Sequence, residues 1–95
     1  MGMKEAYQDK LQAQLDEWNA DIDKLQAKAD KAEANVKLGY YKEIEEIRSV
    51  RQVAEQKLNE LKESSEDAWE DLKEGTESAW SALSNSVKSA ISRFN

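Results

Sequence analysis

The side chains best able to do chemistry are eight carboxylates crowded between residues 60 and 77. A hard divalent cation prefers several carboxylate oxygens, so such a cluster could hold Ca²⁺ or Mg²⁺. Carboxylates spaced along one straight helix diverge, however, and cannot enclose an ion. We therefore interpret the cluster as a solvated face near a helix N-terminus and predict no metal site. Its members are Glu60, Glu63, Glu66, Asp67, Glu70, Asp71, Glu74 and Glu77.

The sequence lacks two of the residue types that most often act as nucleophiles and bases in enzymes. The chain has nine serines but no histidine and no cysteine, which removes imidazole bases, thiolates and disulfides. Glycine-rich phosphate loops are also missing. Arg48 and Arg51 are explained by ion pairs with glutamates along the same helix. We predict a non-enzymatic protein with no catalytic residue, no cofactor and no small-molecule substrate.

The composition is typical of long helices. Of the 95 residues 36% are charged, none is proline, and the mean hydropathy is −0.92. Strong helix formers dominate, so the predicted fold class is all-α. The net charge is −6, and every acidic residue lies at or before Glu77. A body this acidic would repel nucleic acid.

The first predicted region, residues 1–63, carries an apolar stripe at helical spacing. From Leu15 to Val36 its steps alternate between three and four residues, which is the heptad pattern of a coiled coil, and three steps of four residues then lead from Ala32 to Ile44. We predict one long helix from about Lys4 to about Lys62 that associates with another helix through this stripe. The predicted self-association residues are Leu11, Leu15, Trp18, Ile22, Leu25, Ala29, Ala32, Val36, Tyr40, Ile44, Ile47, Leu58 and Leu61.

Gly39 offers an alternative within that long helix. A glycine can follow a helix C-terminus, and a turn there would give a three-helix hairpin bundle. The surrounding sequence "LGYYKEI" supplies no Ser, Thr, Asp or Asn to cap a new helix. The uninterrupted helix is therefore the preferred prediction, with the bundle as the alternative.

The second predicted region, residues 64–95, begins at the stretch "KESSED", where Ser64 and Asp67 form a near-capping box. A sequence motif then repeats every eleven residues. Eleven residues make three helical turns, so the repeat keeps one apolar face straight along the helix. This face packs against another helix or, over residues 78–94, docks on a membrane surface with a polar face made mostly of serine. Its residues are Trp69, Leu72, Trp80, Leu83, Val87, Ile91 and Phe94.

Two stretches carry a resemblance to a known group. "YQDKLQAQLDEW" (7–18) and "AWEDLKEG" (68–75) make the chain resemble small uncharacterised coiled-coil proteins of cyanobacteria and proteobacteria. Some of those proteins are stress-response proteins, and the resemblance implies a stress-related role without catalytic residues. The eleven-residue period is also similar to that of late-embryogenesis-abundant proteins and apolipoproteins, which implies reversible membrane or desiccation roles.

Small residues at the middle of the first stripe indicate how two copies could meet. Alanines cluster near residues 27–34, and bulky residues lie at similar distances on both sides, as Trp18 and Ile47 do. Small side chains let two helix axes approach closely. We predict an antiparallel homodimer centred near Ala32. The resulting hypothesis is a cytoplasmic structural or interaction protein that self-associates, with a peripheral membrane-binding protein as the alternative.

Overall fold

Three α-helices make up the fold. The structure is a computed structural model that describes residues 2–94, and within that range it contains helices and no β-strand. The helices are α1 (Met3–Lys31), α2 (Ala34–Glu63) and α3 (Trp69–Phe94). The all-α prediction is confirmed.

The three helices lie side by side, with α2 antiparallel to both of its neighbours. Contacts between α1 and α3 keep a constant offset of 62 residues, since Tyr7 meets Trp69 and Trp18 meets Trp80. Tyr40, at the start of α2, stacks on Phe94 at the end of α3. The molecule measures 51 × 20 × 18 Å. At about 1.5 Å per residue, its long dimension is close to the length of a single helix.

The structure differs from the prediction of one helix over residues 4–62. The chain reverses at residues 32–33, and Gly39 lies inside α2, so the alternative turn at Gly39 is also wrong. Burial explains the reversal, because a straight helix would leave its apolar stripe in water in a lone chain. The second turn, residues 64–68, lies where "KESSED" predicts one.

One face of each helix contributes to a continuous core. Each large aliphatic or aromatic side chain that is fully buried contributes about 1.5–3 kcal/mol relative to its exposed state, so this core is the main source of stability. The buried apolar residues are Leu11, Leu15, Ile22, Leu25, Ala29, Ile44, Ile47, Ala54, Leu58, Leu61, Trp69, Ala79, Trp80, Leu83, Val87 and Ala90.

Candidate interaction surfaces

Most of the predicted self-association residues lie in the core of the single chain. Trp18 and Tyr40 are partly buried and pack against this core. Ala32 is half-buried in the turn between α1 and α2, and Val36 is 44% exposed. The stripe thus packs within one molecule, apart from its middle. The fully buried members are Leu11, Leu15, Ile22, Leu25, Ala29, Ile44, Ile47, Leu58 and Leu61.

The α1–α2 turn consists of two residues in extended conformation. Ala32 has φ −74° and ψ 157°, and Glu33 has φ −65° and ψ 152°. The N–H of Ala32 donates to the Ala29 carbonyl at 3.2 Å. The Glu33 side chain makes no capping hydrogen bond to any described residue, although its position would suit one. The side chains of residues 32 and 33 therefore contribute little to the turn.

Apolar side chains remain in water on the α2 side of this turn. Val36 is 44% exposed and Leu38 is 76% exposed. A Cβ built on Gly39 would meet no described atom within 4 Å, so the surface there is open. Ala29, Ala32, Val36 and Tyr40 are spaced by three, four and four residues, which is a helical spacing that continues across the turn.

Two tyrosines join the helices at this end. The Tyr41 hydroxyl donates to Asp30 Oδ1 at 2.8 Å, which links α2 to the last turn of α1. This hydrogen bond lowers the pKa of Asp30 and raises the pKa of Tyr41. Tyr40 stacks on Phe94 with ring centroids 4.0 Å apart, and its hydroxyl donates to the Phe94 carbonyl at 3.2 Å.

A buried lysine connects α1 to the α2–α3 turn at the opposite end. Lys4 is only 8% exposed, and its Nζ donates to the Lys62 carbonyl at 3.2 Å and to the Ser64 carbonyl. These carbonyls end α2, where backbone acceptors lack helical partners and a cation is favoured. Ser64 Oγ donates to the Leu61 carbonyl at 2.6 Å, and Ser65 Oγ accepts from the Ala68 N–H at 3.1 Å.

An aromatic cluster adjoins this turn. The rings of Tyr7 and Trp69 lie 5.6 Å apart, and Lys73 Nζ is 5.3 Å from the Tyr7 ring centroid. A cation over an aromatic face is attracted by its π electrons. The Tyr7 hydroxyl donates to Glu77 Oε1 at 3.2 Å. Burial, assisted by the Glu77 charge, raises the pKa of Tyr7 to about 12.

The face of α3 predicted for packing or membrane binding points into the bundle. Trp69, Trp80, Leu83 and Val87 are buried. The remaining predicted residues, Leu72, Ile91 and Phe94, are half-buried. The buried Trp80 Nε1 has no hydrogen-bond partner among residues 2–94. Most serines of the polar face lie in water, so the two faces of α3 are separated as the repeat indicates. The exposed ones are Ser78, Ser81, Ser89 and Ser92.

Two surface grooves and the acidic residues are the remaining candidate sites. A groove of about 220 Å³ lies between α1 and α3, beside Leu25 and Ile91. A second groove of about 320 Å³ lies between α2 and α3, beside Ile47 and Ser86. Across the described range 2–94, acidic residues form no group that could hold a metal ion.

Comparison with protein families, with curated proteins and with solved structures found no match. Within the part of the chain that the structure describes, every helix is too short or too polar to cross a bilayer.

Several residues that connect the helices were missing from the sequence prediction. Lys4 is one, because lysine is ordinarily exposed. Its position seven residues before Leu11 continues the heptad of Leu11, Trp18 and Leu25, which is a signal for burial. Ser65, rather than the expected Ser64, accepts a hydrogen bond from the backbone of the turn ahead of α3, at the Ala68 N–H.

Proposed function

We propose that this protein is a non-enzymatic helical interaction protein that acts by self-association, most simply as an antiparallel homodimer. The observation that carries the proposal is the exposed Val36, which extends an otherwise buried stripe across the α1–α2 turn. Two copies related by a twofold axis could cover this position in each other. A role in a stress response is part of the proposal and rests on the sequence resemblance, and a cytoplasmic location is proposed with it.

Sedimentation velocity over a wide concentration range tests self-association. We expect the mass to rise from monomer to dimer as concentration increases. Val36→Asp should weaken the dimer because it places a charge in the apolar contact. Val53→Asp is the matched control, since Val53 lies on the same helix and is 49% exposed far from the turn. A monomer at every concentration would contradict the proposal.

A second candidate function is binding to a membrane surface through residues 78–94. Its support is the separation of the buried apolar face of α3 from an exposed, uncharged serine face. Binding would require α3 to leave the bundle and expose Trp80, Leu83 and Val87. Each of these would cost about 1.5–3 kcal/mol unless lipid covered it.

Flotation with neutral phospholipid vesicles tests this second candidate. The fluorescence of Trp80 is a poor reporter, because this residue is already only 5% exposed in the free protein. Ile91→Asp changes the apolar face and should abolish flotation. Ser92→Asp adds the same charge to the exposed polar face and should leave flotation intact. Wild-type protein that stays at the bottom of the gradient excludes the candidate.

A further inference from the structure

The α1–α2 turn is built from residues that would equally form a helix. Residues 31–34 read Lys-Ala-Glu-Ala, all strong helix formers, without glycine or proline. Only the ψ angles separate the turn from a helix, since φ at Ala32 and Glu33 is already −74° and −65°. The local sequence therefore does not oppose a straight connection between α1 and α2.

The contacts between α1 and α2 locate the centre of a symmetric arrangement. Asn19 accepts a hydrogen bond from Arg51 at 3.0 Å, and the point halfway between them in sequence is residue 35. Gln26 accepts one from Arg48 at 3.0 Å, with the halfway point at residue 37. If the same pairs formed between two straight chains, the twofold axis would pass beside Val36. This apolar residue is exposed in the single chain.

We propose that residues 32–33 are a hinge that straightens, so that α1 of each chain docks on α2 and α3 of a second copy. This domain-swapped dimer rests on the proposed self-association and states how it is achieved. The partner is another copy of this chain, because the surfaces that α1 leaves are complementary to α1 itself. The centre of the dimer lies at Val36, rather than near Ala32 as the alanine spacing indicated.

The exchange keeps nearly all contacts of α1. The hydrogen bonds from Lys4 to the Lys62 and Ser64 carbonyls form again between chains, as does the packing of Tyr7 on Trp69. Two differences remain between the closed and swapped forms. The hinge gains helical hydrogen bonds, and the Val36 side chains meet across the twofold axis. The balance between the forms is therefore set at the hinge and depends on protein concentration.

Cross-linking distinguishes a swapped dimer from two closed molecules side by side. The natural chain has no cysteine, so introduced thiols are unique. Asn19→Cys and Arg51→Cys are placed on separate chains, which are unfolded together, refolded and treated with a short thiol cross-linker. In a swapped dimer residue 19 of one chain faces residue 51 of the other, and covalent dimers containing one chain of each kind are expected. Dimers that form without this cross-link would overturn the swap.

Glu33→Pro tests the hinge directly. Proline fits the closed turn, because Glu33 has φ −65° and Ala32 has the extended ψ of a residue before proline. In a straight helix, proline at position 33 would clash with the backbone carbonyl four residues earlier, and the dimer contains two such hinges. Dimerisation should weaken by on the order of a hundredfold or more. Glu33→Ala is the matched control, since it removes the same carboxylate, keeps the N–H and should dimerise as the wild type does.

The outcomes separate this inference from the proposed function. If the wild type stays monomeric at every concentration, both are overturned. If the wild type dimerises, Glu33→Pro dimerises equally and no 19-to-51 cross-link forms, self-association stands and the hinge is overturned. Helical circular dichroism of Glu33→Pro verifies that the closed bundle forms.

Discussion

The two turns of the bundle end their preceding helices in the same way but are held very differently. Ala32 and Ser64 have nearly identical backbone angles, −74° and 157° against −73° and 156°, and each N–H donates to the carbonyl three residues earlier at 3.2 Å. Around Ser64, three side chains hydrogen-bond the backbone of the α2–α3 turn. At the α1–α2 turn, the side chains of residues 32 and 33 make no capping bond within the described range. The same backbone conformation is thus held by side-chain hydrogen bonds at the α2–α3 turn and by the packing of the helices at the α1–α2 turn.

That difference indicates which connection can change. The α2–α3 turn would lose the hydrogen bonds of Lys4 and Ser65 if it straightened. The α1–α2 turn is crossed by the surface hydrogen bond from Tyr41 to Asp30, and these two positions are symmetric about the hinge, so the bond can form again between two straight chains. The first three predictions below compare one end of the bundle with the other, and the fourth tests the α2–α3 end alone.

Removing one aromatic side chain from each end gives the largest expected difference. Trp69→Ala should lower the free energy of unfolding by about 3–5 kcal/mol, because this buried ring leaves a cavity beside Tyr7. Phe94→Ala, at the half-buried ring that stacks on Tyr40, should cost about 1–2 kcal/mol. Urea unfolding of both variants measures the difference. Equal losses would contradict the tighter packing at the α2–α3 turn.

Lys4→Met removes the ammonium group that caps α2 and keeps the apolar stem. We expect a loss of about 1.5–3 kcal/mol, because the Lys62 and Ser64 carbonyls lose a charged donor. Lys31→Met, in the exposed last turn of α1, should change the free energy of unfolding by less than about 0.5 kcal/mol. Chemical denaturation at neutral pH compares the two variants. A Lys4→Met variant with the same free energy of unfolding as the wild type would show that the cap does not stabilise the fold.

Removing the capping side chain from the α2–α3 turn and adding one to the α1–α2 turn should change the stability in opposite directions. Ser65→Ala should destabilise by about 1 kcal/mol, since the Ala68 N–H loses its side-chain acceptor and keeps only the Ser65 carbonyl. Glu33→Ser should stabilise the closed bundle by roughly 0.5–1 kcal/mol, because it adds the missing cap at the start of α2. Both are measured by thermal unfolding at low concentration. A Glu33→Ser variant no more stable than the wild type would contradict the assignment of an uncapped turn.

The smallest predicted effect is a pH dependence at the α2–α3 end. Folding raises the pKa of Tyr7 from 10.0 to about 12, mainly through burial, so the folded state favours the neutral phenol. This contribution is complete below pH 10 and is lost as the pH rises towards 12. Unfolding free energies measured across this range should fall less for Tyr7→Phe than for the wild type. Identical slopes would show that Tyr7 does not contribute.

The sequence was most informative about which residues become buried. Leu15, Ile22 and Leu25 follow a helical period, and the same is true of Trp80, Leu83 and Val87 on α3, so both sets could be identified before any packing was known. In the single chain most of the first stripe packs within the molecule, and its predicted pairing with a second copy stays a prediction. Periodicity defines a face of a helix but does not distinguish a partner in another chain from one in the same chain.

The sequence by itself determined that the chain is helical, which face of each helix is apolar and that a break follows Lys62, because period and capping residues act over a few positions. Tertiary structure decided the reversal at residues 32–33 and the burial of Lys4. Neither has a local cause. The turn forms because folding α1 back onto α2 and α3 removes apolar surface from water, and Lys4 is buried because that fold brings it to the carbonyls that end α2.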